Sequence, residues 1–155
     1  MHPVPEADLL TVHPYPHTYK VTTRGSASGP VAVESEGLPA LSTAPPREFD
    51  GPGDVWSPET LLVAAVADCF ILTFRGVARA AKFEWQDLNC EVEGVLERVA
   101  GVTRFSGYTT LATLSVTAGT DHAKAEELLE RAERVCLINN SLQGERHLVV
   151  RILEM

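Results

Sequence analysis

Residues 56–82, WSPETLLVAAVADCFILTFRGVARAAK, decide the fold of this chain. The stretch begins like a helix, because Ser57 can cap, Pro58 suits the first helical position and Glu59 complements the helix dipole. Residues 61–74 are apolar on almost every face, which is typical of a buried helix. These fourteen residues include an aspartate, so they are too short and too polar to span a bilayer. We therefore expect a core helix.

The composition narrows the class of protein. With 155 residues, of which 45% are hydrophobic and 22% charged, the chain has the balance of a globular domain. A formal net charge of −8 without any run of Lys or Arg argues against nucleic-acid and membrane partners. Three widely spaced cysteines make a poor disulfide framework, and no signal-peptide pattern is visible at the N-terminus. We therefore expect a cytoplasmic protein.

The predicted elements follow the order β-β-(β)-α-β-β-α-β. This order predicts an α+β fold with antiparallel sheets and two main helices. Residues 1–17 are rich in proline and predict a mobile leader, and residues 18–155 predict one domain. Gly94 suggests a bulge in the fourth strand. The predicted strands are residues 18–25, 30–36, 38–42, 88–99, 105–118 and 147–153, and the second helix covers residues 121 to about 140.

Candidate chemistry reduces to three thiols, because the sequence has no P-loop, no GxGxxG, no HExxH, no GxSxG and no CxxC. No metal site or cofactor is predicted. Cys90 lies in a strand in phase with Leu88 and Val92, which favours a small buried hydrophobe. Cys69 and Cys136 lie on the apolar faces of the two predicted helices, where spacing alone is equally consistent with core packing and with chemistry.

Two motifs carry a resemblance to a known family. Residues 57–70, SPETLLVAAVADCF, resemble the (N/S)-P-E-x-L-(L/F)-x-A-A-x-x-x-C-(F/L) signature of the OsmC/Ohr family. Residues 134–142, RVCLINNSL, resemble its second cysteine motif, and residues 51–59, GPGDVWSPE, are also typical. The resemblance covers about residues 18–155. It implies an OsmC-like intertwined homodimer that reduces organic hydroperoxides with a cysteine pair and is reset by a dithiol such as a lipoyl group.

The resemblance also implies the roles of individual residues. Cys69 would attack the peroxide and become a sulfenic acid, which Cys136 would convert to a disulfide. Arg24 would be the catalytic arginine, with Arg47 as the alternative, and Glu59 would orient it through a charge-assisted hydrogen bond. The simpler interpretations are solvated surface arginines and an acid that only complements the helix dipole.

Physical arguments restrict how these residues could work together. In apolar surroundings the Cys69 thiolate is disfavoured unless a cation lies near it. The position of Cys136 near a helix C-terminus disfavours its thiolate too. Glu59 and Cys69 are ten positions apart, about 15 Å along one helix. A site that uses both therefore predicts a dimer interface, or an arginine that spans the gap.

One departure from the family pattern leaves the substrate and the reductant open. Leu137 and Ile138 lie where many hydroperoxide-resistance members have Pro-Tyr or Pro-Val. This pair of residues resembles the less characterised OsmC-like branch more closely. The alternative function is a non-catalytic small-molecule-binding or redox-responsive module with the same fold.

Overall fold

The computed structural model describes residues 13–155, which divide into two compact units, residues 13–62 and 63–155. Most of the predicted leader, residues 1–12, lies outside the described residues, and residues 13–17 are exposed. The prediction that residues 18–155 form one domain stays a prediction.

The unit of residues 13–62 contains a three-stranded antiparallel sheet, in which each strand pairs with the next along the chain. All three predicted strands are present, although each is shorter than expected. The first turn starts at Gly25 and ends at Pro30, which limits the pairing on both sides. The strands are β1 (Thr22–Arg24), β2 (Val31–Glu34) and β3 (Leu41–Thr43), and a short 3-10 helix covers Arg47–Phe49.

The long helix α1 (Pro58–Ala80) begins in the first unit and continues into the second. Ser57 caps it as predicted, because its Oγ accepts a hydrogen bond from the Thr60 amide at 3.1 Å. The Ser57 amide donates in return to the Thr60 hydroxyl at 2.9 Å, which completes a reciprocal capping arrangement. The chain leaves the helix through Lys82, whose φ of 54° is left-handed.

The unit of residues 63–155 contains a second three-stranded sheet, in the order β4-β5-β6. The prediction of purely antiparallel sheets is wrong here, because the last strand runs parallel to β5. Two helices connect these strands, and a helical crossover of this kind is what parallel pairing requires. The elements are β4 (Asp87–Val99), β5 (Val102–Val116), α2 (His122–Val135), α3 (Leu137–Asn140) and β6 (Glu145–Glu154).

One hydrophobic core joins α1, α2 and the second sheet. The expectation that this stretch is too short and too polar to span a bilayer is wrong for the whole of α1, because its 23 residues would suit a membrane span by length and composition alone, a test that core helices of soluble proteins pass as well. Its inner face instead packs against the sheet and α2, which accounts for its apolar character. The core consists of Phe70, Phe74, Val77, Ala78, Leu88, Ala112, Leu114, Val116, Ala125, Leu128, Leu129 and Ala132.

Gly94 serves close packing rather than the bulge, which lies one step later between Val95 and Leu96. A Cβ atom at Gly94 would lie 2.9 Å from Cγ2 of Val63 and 3.1 Å from Cε1 of Phe105. At this point β4 can therefore pack against the side chains of Val63 and of Phe105 in β5 only because the Cβ is missing.

We expect Gly94→Ala to lower the free energy of unfolding by about 1–3 kcal/mol, the usual cost of overpacking. Gly107→Ala in the same hairpin is the control, because its Cβ would meet nothing closer than 3.5 Å. Urea denaturation of both variants at equal protein concentration measures the difference. Equal stabilities would contradict the packing role of Gly94.

Candidate active site

The structure brings Cys69 and Cys136 together. Cys69 lies in the middle of α1, and Cys136 is the single residue between α2 and α3. Both are free thiols; Cys69 is partly exposed, whereas Cys136 is only 1% exposed. The Cys136 thiol donates a hydrogen bond to the Cys69 sulfur. The geometry therefore unites the two cysteines that the motifs singled out, while their roles stay a prediction.

The surroundings of Cys69 favour its thiolate. The hydrogen bond from Cys136 is the largest cause that lowers the pKa of Cys69, to about 6, and burial acts in the opposite direction. The backbone N–H groups of Ile138 and Leu137 lower this pKa further, as does the hydroxyl of Thr73, which lies 3.7 Å from the sulfur. Four uncharged donors thus stabilise one thiolate.

None of these four donors carries a charge, and the expectation that a cation also lies near Cys69 stays a prediction. Three of the four donors reach Cys69 from the start of α3, a contact that the sequence does not reveal. The pKa of Cys136 is raised, as expected, but by its hydrogen bond to Cys69 and then by burial. Cys136 ends α2 and also begins α3, and the backbone N–H groups of Asn139 and Ile138 partly oppose the rise of its pKa.

Cys90 behaves as a structural cysteine. It is partly buried against the hydrophobic core, and burial raises the pKa of its thiol to about 11. A thiol of this kind is a poor nucleophile at neutral pH. Among residues 13–155, no three His, Cys, Asp or Glu side chains gather into a metal-binding group.

The other predicted site residues belong to the unit of residues 13–62. Glu59 is in the first turn of α1, and its Oε2 is buried without a hydrogen-bond partner. It lines a cavity of about 490 Å³ whose other walls are mostly apolar and include Val31, Val33 and Phe49. Arg24 ends β1 and is exposed, and no ion pair joins it to Glu59 within the described chain.

Arg47, the alternative arginine, packs against Gly53 in the same loop. Gly53 has a φ of +75°, and a Cβ there would lie 2.0 Å from Nε of Arg47. The arginine side chain thus lies directly over a residue that has to be glycine. Arg47 is otherwise exposed, and its alternative role as the catalytic arginine stays a prediction.

Sequence reasoning missed the residues that support the cysteine pair. Thr73 and the first N–H groups of α3 act on Cys69 directly. Arg146 of β6 and Glu133 of α2 form a partly buried ion pair at 2.8 Å, which contacts the end of α3. The spacing of Thr73, one helical turn after Cys69, was a signal that could have identified it. No pattern in the sequence links Glu133 to Arg146.

Comparison with known proteins settles the family. The model of the OsmC-like protein family matches residues 51–151. This chain belongs to the OsmC-like protein family. It is 31% identical over 144 residues to an organic hydroperoxide resistance protein of Xanthomonas axonopodis pv. citri, covering 90% of this chain and 92% of that protein. It is also 31% identical over 132 residues to the uncharacterized protein YmaD of Bacillus subtilis, covering 83% of this chain and 87% of YmaD.

Solved structures of OsmC-like proteins share the fold. An organic hydroperoxide resistance protein OsmC from Legionella pneumophila superposes with a TM-score of 0.70 at 28% identity, covering 88% of this chain and 97% of that one. The OsmC-like protein VCA0330 from Vibrio cholerae reaches a TM-score of 0.77 at 17% identity, covering 86% and 99%. The α+β fold and the family predicted from the two cysteine motifs are thus confirmed.

We expect Cys136→Ala to raise the pKa of Cys69 from about 6 towards the usual value of a free thiol, about 8.5, because the main donor is lost. Thr73→Val removes a weaker donor from the same sulfur and should produce a smaller rise. The measurement is the rate of Cys69 alkylation by iodoacetamide as a function of pH, with the modified site identified by mass spectrometry. An unchanged midpoint in Cys136→Ala would show that the hydrogen bond does not govern Cys69.

Proposed function

We propose that this OsmC-like protein is a cysteine-based peroxidase that reduces organic hydroperoxides. The observation that carries the proposal is the partly exposed Cys69 next to the buried Cys136, with the pKa of Cys69 lowered to about 6 and that of Cys136 raised. In this proposal the first is the thiolate nucleophile at neutral pH, and the second is the thiol that reacts with Cys69 once the peroxide has oxidised Cys69 to a sulfenic acid. The relatives named for organic hydroperoxide resistance support this choice of substrate.

The proposed cycle is a two-electron exchange. The Cys69 thiolate attacks one peroxide oxygen, the O–O bond breaks, and the alkoxide leaves as an alcohol after it takes up a proton. Cys69 is then a sulfenic acid. The Cys136 sulfur attacks it, water leaves, and a disulfide joins the two residues. A dithiol such as a lipoyl group restores both thiols and is itself oxidised. The cycle uses no metal, haem or flavin.

Exposed apolar side chains near the pair favour an organic substrate. Leu72 lies one helical turn after Cys69 and is 49% exposed, and Leu137 follows Cys136 and is 51% exposed. Side chains three positions apart are neighbours on a helix surface, so Leu72 borders the thiol. Hydrocarbon parts of a peroxide would gain hydrophobic contact there, and hydrogen peroxide would not.

We further propose that Glu59 and Arg24 complete the site in a homodimer. A carboxylate oxygen buried without a partner is costly, and a guanidinium would satisfy it. The spacing of ten positions between Glu59 and Cys69 on α1 favours a Glu59 from the neighbouring subunit. Other large apolar side chains are exposed in the single chain, which also favours a partner; they include Val95, Val102 and Val149. A cytoplasmic location would keep the thiols reduced between turnovers.

One equivalent of cumene hydroperoxide should remove two of the three thiols and leave a Cys69–Cys136 disulfide. Cys69→Ser should abolish turnover, whereas Cys90→Ser is the matched control and should retain it, because Cys90 is not part of the pair. Thiol titration and peptide mass spectrometry give both results. Survival of all three thiols would instead support the non-catalytic binding or redox-responsive module.

Arg24→Ala should lower kcat/KM for the organic peroxide by about 10²- to 10³-fold, because it removes a charge that stabilises the thiolate and the departing oxygen. Arg47→Ala is the comparison and should stay within a few-fold of the wild type. Steady-state kinetics with a dithiol reductant measure both. A large loss in Arg47→Ala alone would assign the catalytic arginine to Arg47.

Mixing subunits tests whether the site is shared. If Glu59 acts across the interface, inactive Cys69→Ser and Glu59→Gln chains should regain activity when they are refolded together in equal amounts. About half of the dimers then contain one chain of each kind, and one of the two sites in such a dimer has both wild-type residues. The mixture should therefore show about a quarter of the wild-type activity. An inactive mixture of chains that do form dimers, or a fully active monomer, would contradict a shared site.

A further inference from the structure

Arg146 on β6 binds the junction between α2 and α3. Its Nε donates to Oε1 of Glu133 at 2.8 Å, and its Nη2 donates to the main-chain oxygen of the same residue. Its Nη1 donates to Oδ1 of Asn140 at 2.7 Å. One guanidinium therefore contacts the last turn of α2 and the end of α3 at the same time, a task that suits its fixed fork of donors.

Further hydrogen bonds connect α3 to α2. Nδ2 of Asn139 donates to Oε1 of Glu133 at 3.3 Å, and Nδ2 of Asn140 donates to the Arg134 carbonyl oxygen at 3.0 Å. Asn139 is only 4% exposed. The side chains of Arg146 and Glu133 are 27% and 16% exposed, so their ion pair is better shielded from water than a surface pair.

This network contacts the chain on both sides of Cys136, before it at the end of α2 and after it at the end of α3. Cys136 is the residue that joins the two helices, and the N–H groups that follow it point at Cys69. A helix of four residues does not hold its shape alone, because a single turn forms at a net cost. The orientation of α3 must therefore come from side chains outside it, and Arg146 and Glu133 supply the charged contacts.

We propose that Arg146 and Glu133 are positioning residues that fix the α2–α3 junction and thereby set how Cys136 and the start of α3 meet Cys69. Neither residue touches a reacting atom. The inference rests on the proposed function only where it concerns turnover. Its effect on the two thiols is independent of any peroxide.

The test therefore uses reactions that need no peroxidase activity. Diamide oxidises the two thiols by taking up two electrons and two protons, and the rate of Cys69–Cys136 disulfide formation reports how well they are aligned. The pH midpoint of Cys69 alkylation reports the donors around its sulfur. Circular dichroism and thermal unfolding show whether each variant is folded.

In Arg146→Ala we expect disulfide formation to slow at least about tenfold, and the alkylation midpoint to rise, because α3 loses its charged contacts. Arg146→Lys should recover only part of the rate, since one ammonium cannot reach both helices. Glu133→Gln should fall between Arg146→Lys and the wild type. Arg151→Ala, which removes an exposed arginine from the same strand, should match the wild type.

A folded Arg146→Ala with the wild-type disulfide rate and midpoint would overturn the proposal, even if its thermal stability fell. Should Arg146→Ala fail to fold, Arg146→Lys and Glu133→Gln decide by the same two readouts. If these variants slow the diamide reaction while the wild type does not consume peroxide, the positioning role stands and the peroxidase function falls.

Discussion

The hydrogen bond between Cys136 and Cys69 is the interaction on which the rest of the site depends. It lowers the pKa of one thiol and raises that of the other, so the two sulfurs differ sharply although they are the same chemical group. Such a difference requires close contact in a partly dry place, because water would otherwise supply the hydrogen bonds to both sulfurs. The fold must therefore bring together the segments that contain Cys69 and Cys136, which are far apart in the sequence.

Packing in the hydrophobic core positions the two cysteines. α1 packs its inner face against the second sheet and α2, which fixes the height and rotation of Cys69. The amphipathic α2 is held by Leu128 and Leu129, and it ends where Cys136 begins. The parallel pairing of β6 with β5 then returns the chain past this junction and places Arg146 against it. Apolar packing thus sets how closely α1 and α2 approach each other, and polar contacts set the geometry of the α2–α3 junction.

The sequence was informative where a local pattern is enough. The start of α1, the order of strands and the helical face of α2 follow from capping and periodicity, and the two cysteine motifs identify the family. It failed where the outcome depends on contacts between distant segments. The direction of β6 depends on the crossover through α2, and the lowered pKa of Cys69 depends on donors from α3. Neither is visible in the neighbouring residues.

The same hydrogen bond gives the proposed cycle its order. As long as Cys69 is a thiolate, its demand for a donor keeps the proton on Cys136, and this is the largest cause of the raised pKa. Oxidation of Cys69 to a sulfenic acid removes that negative charge. Burial still disfavours the Cys136 thiolate, but the N–H groups of Asn139 and Ile138 continue to stabilise it. In the proposed cycle Cys136 would thus become a better nucleophile only after Cys69 has reacted, so it would not compete for the peroxide.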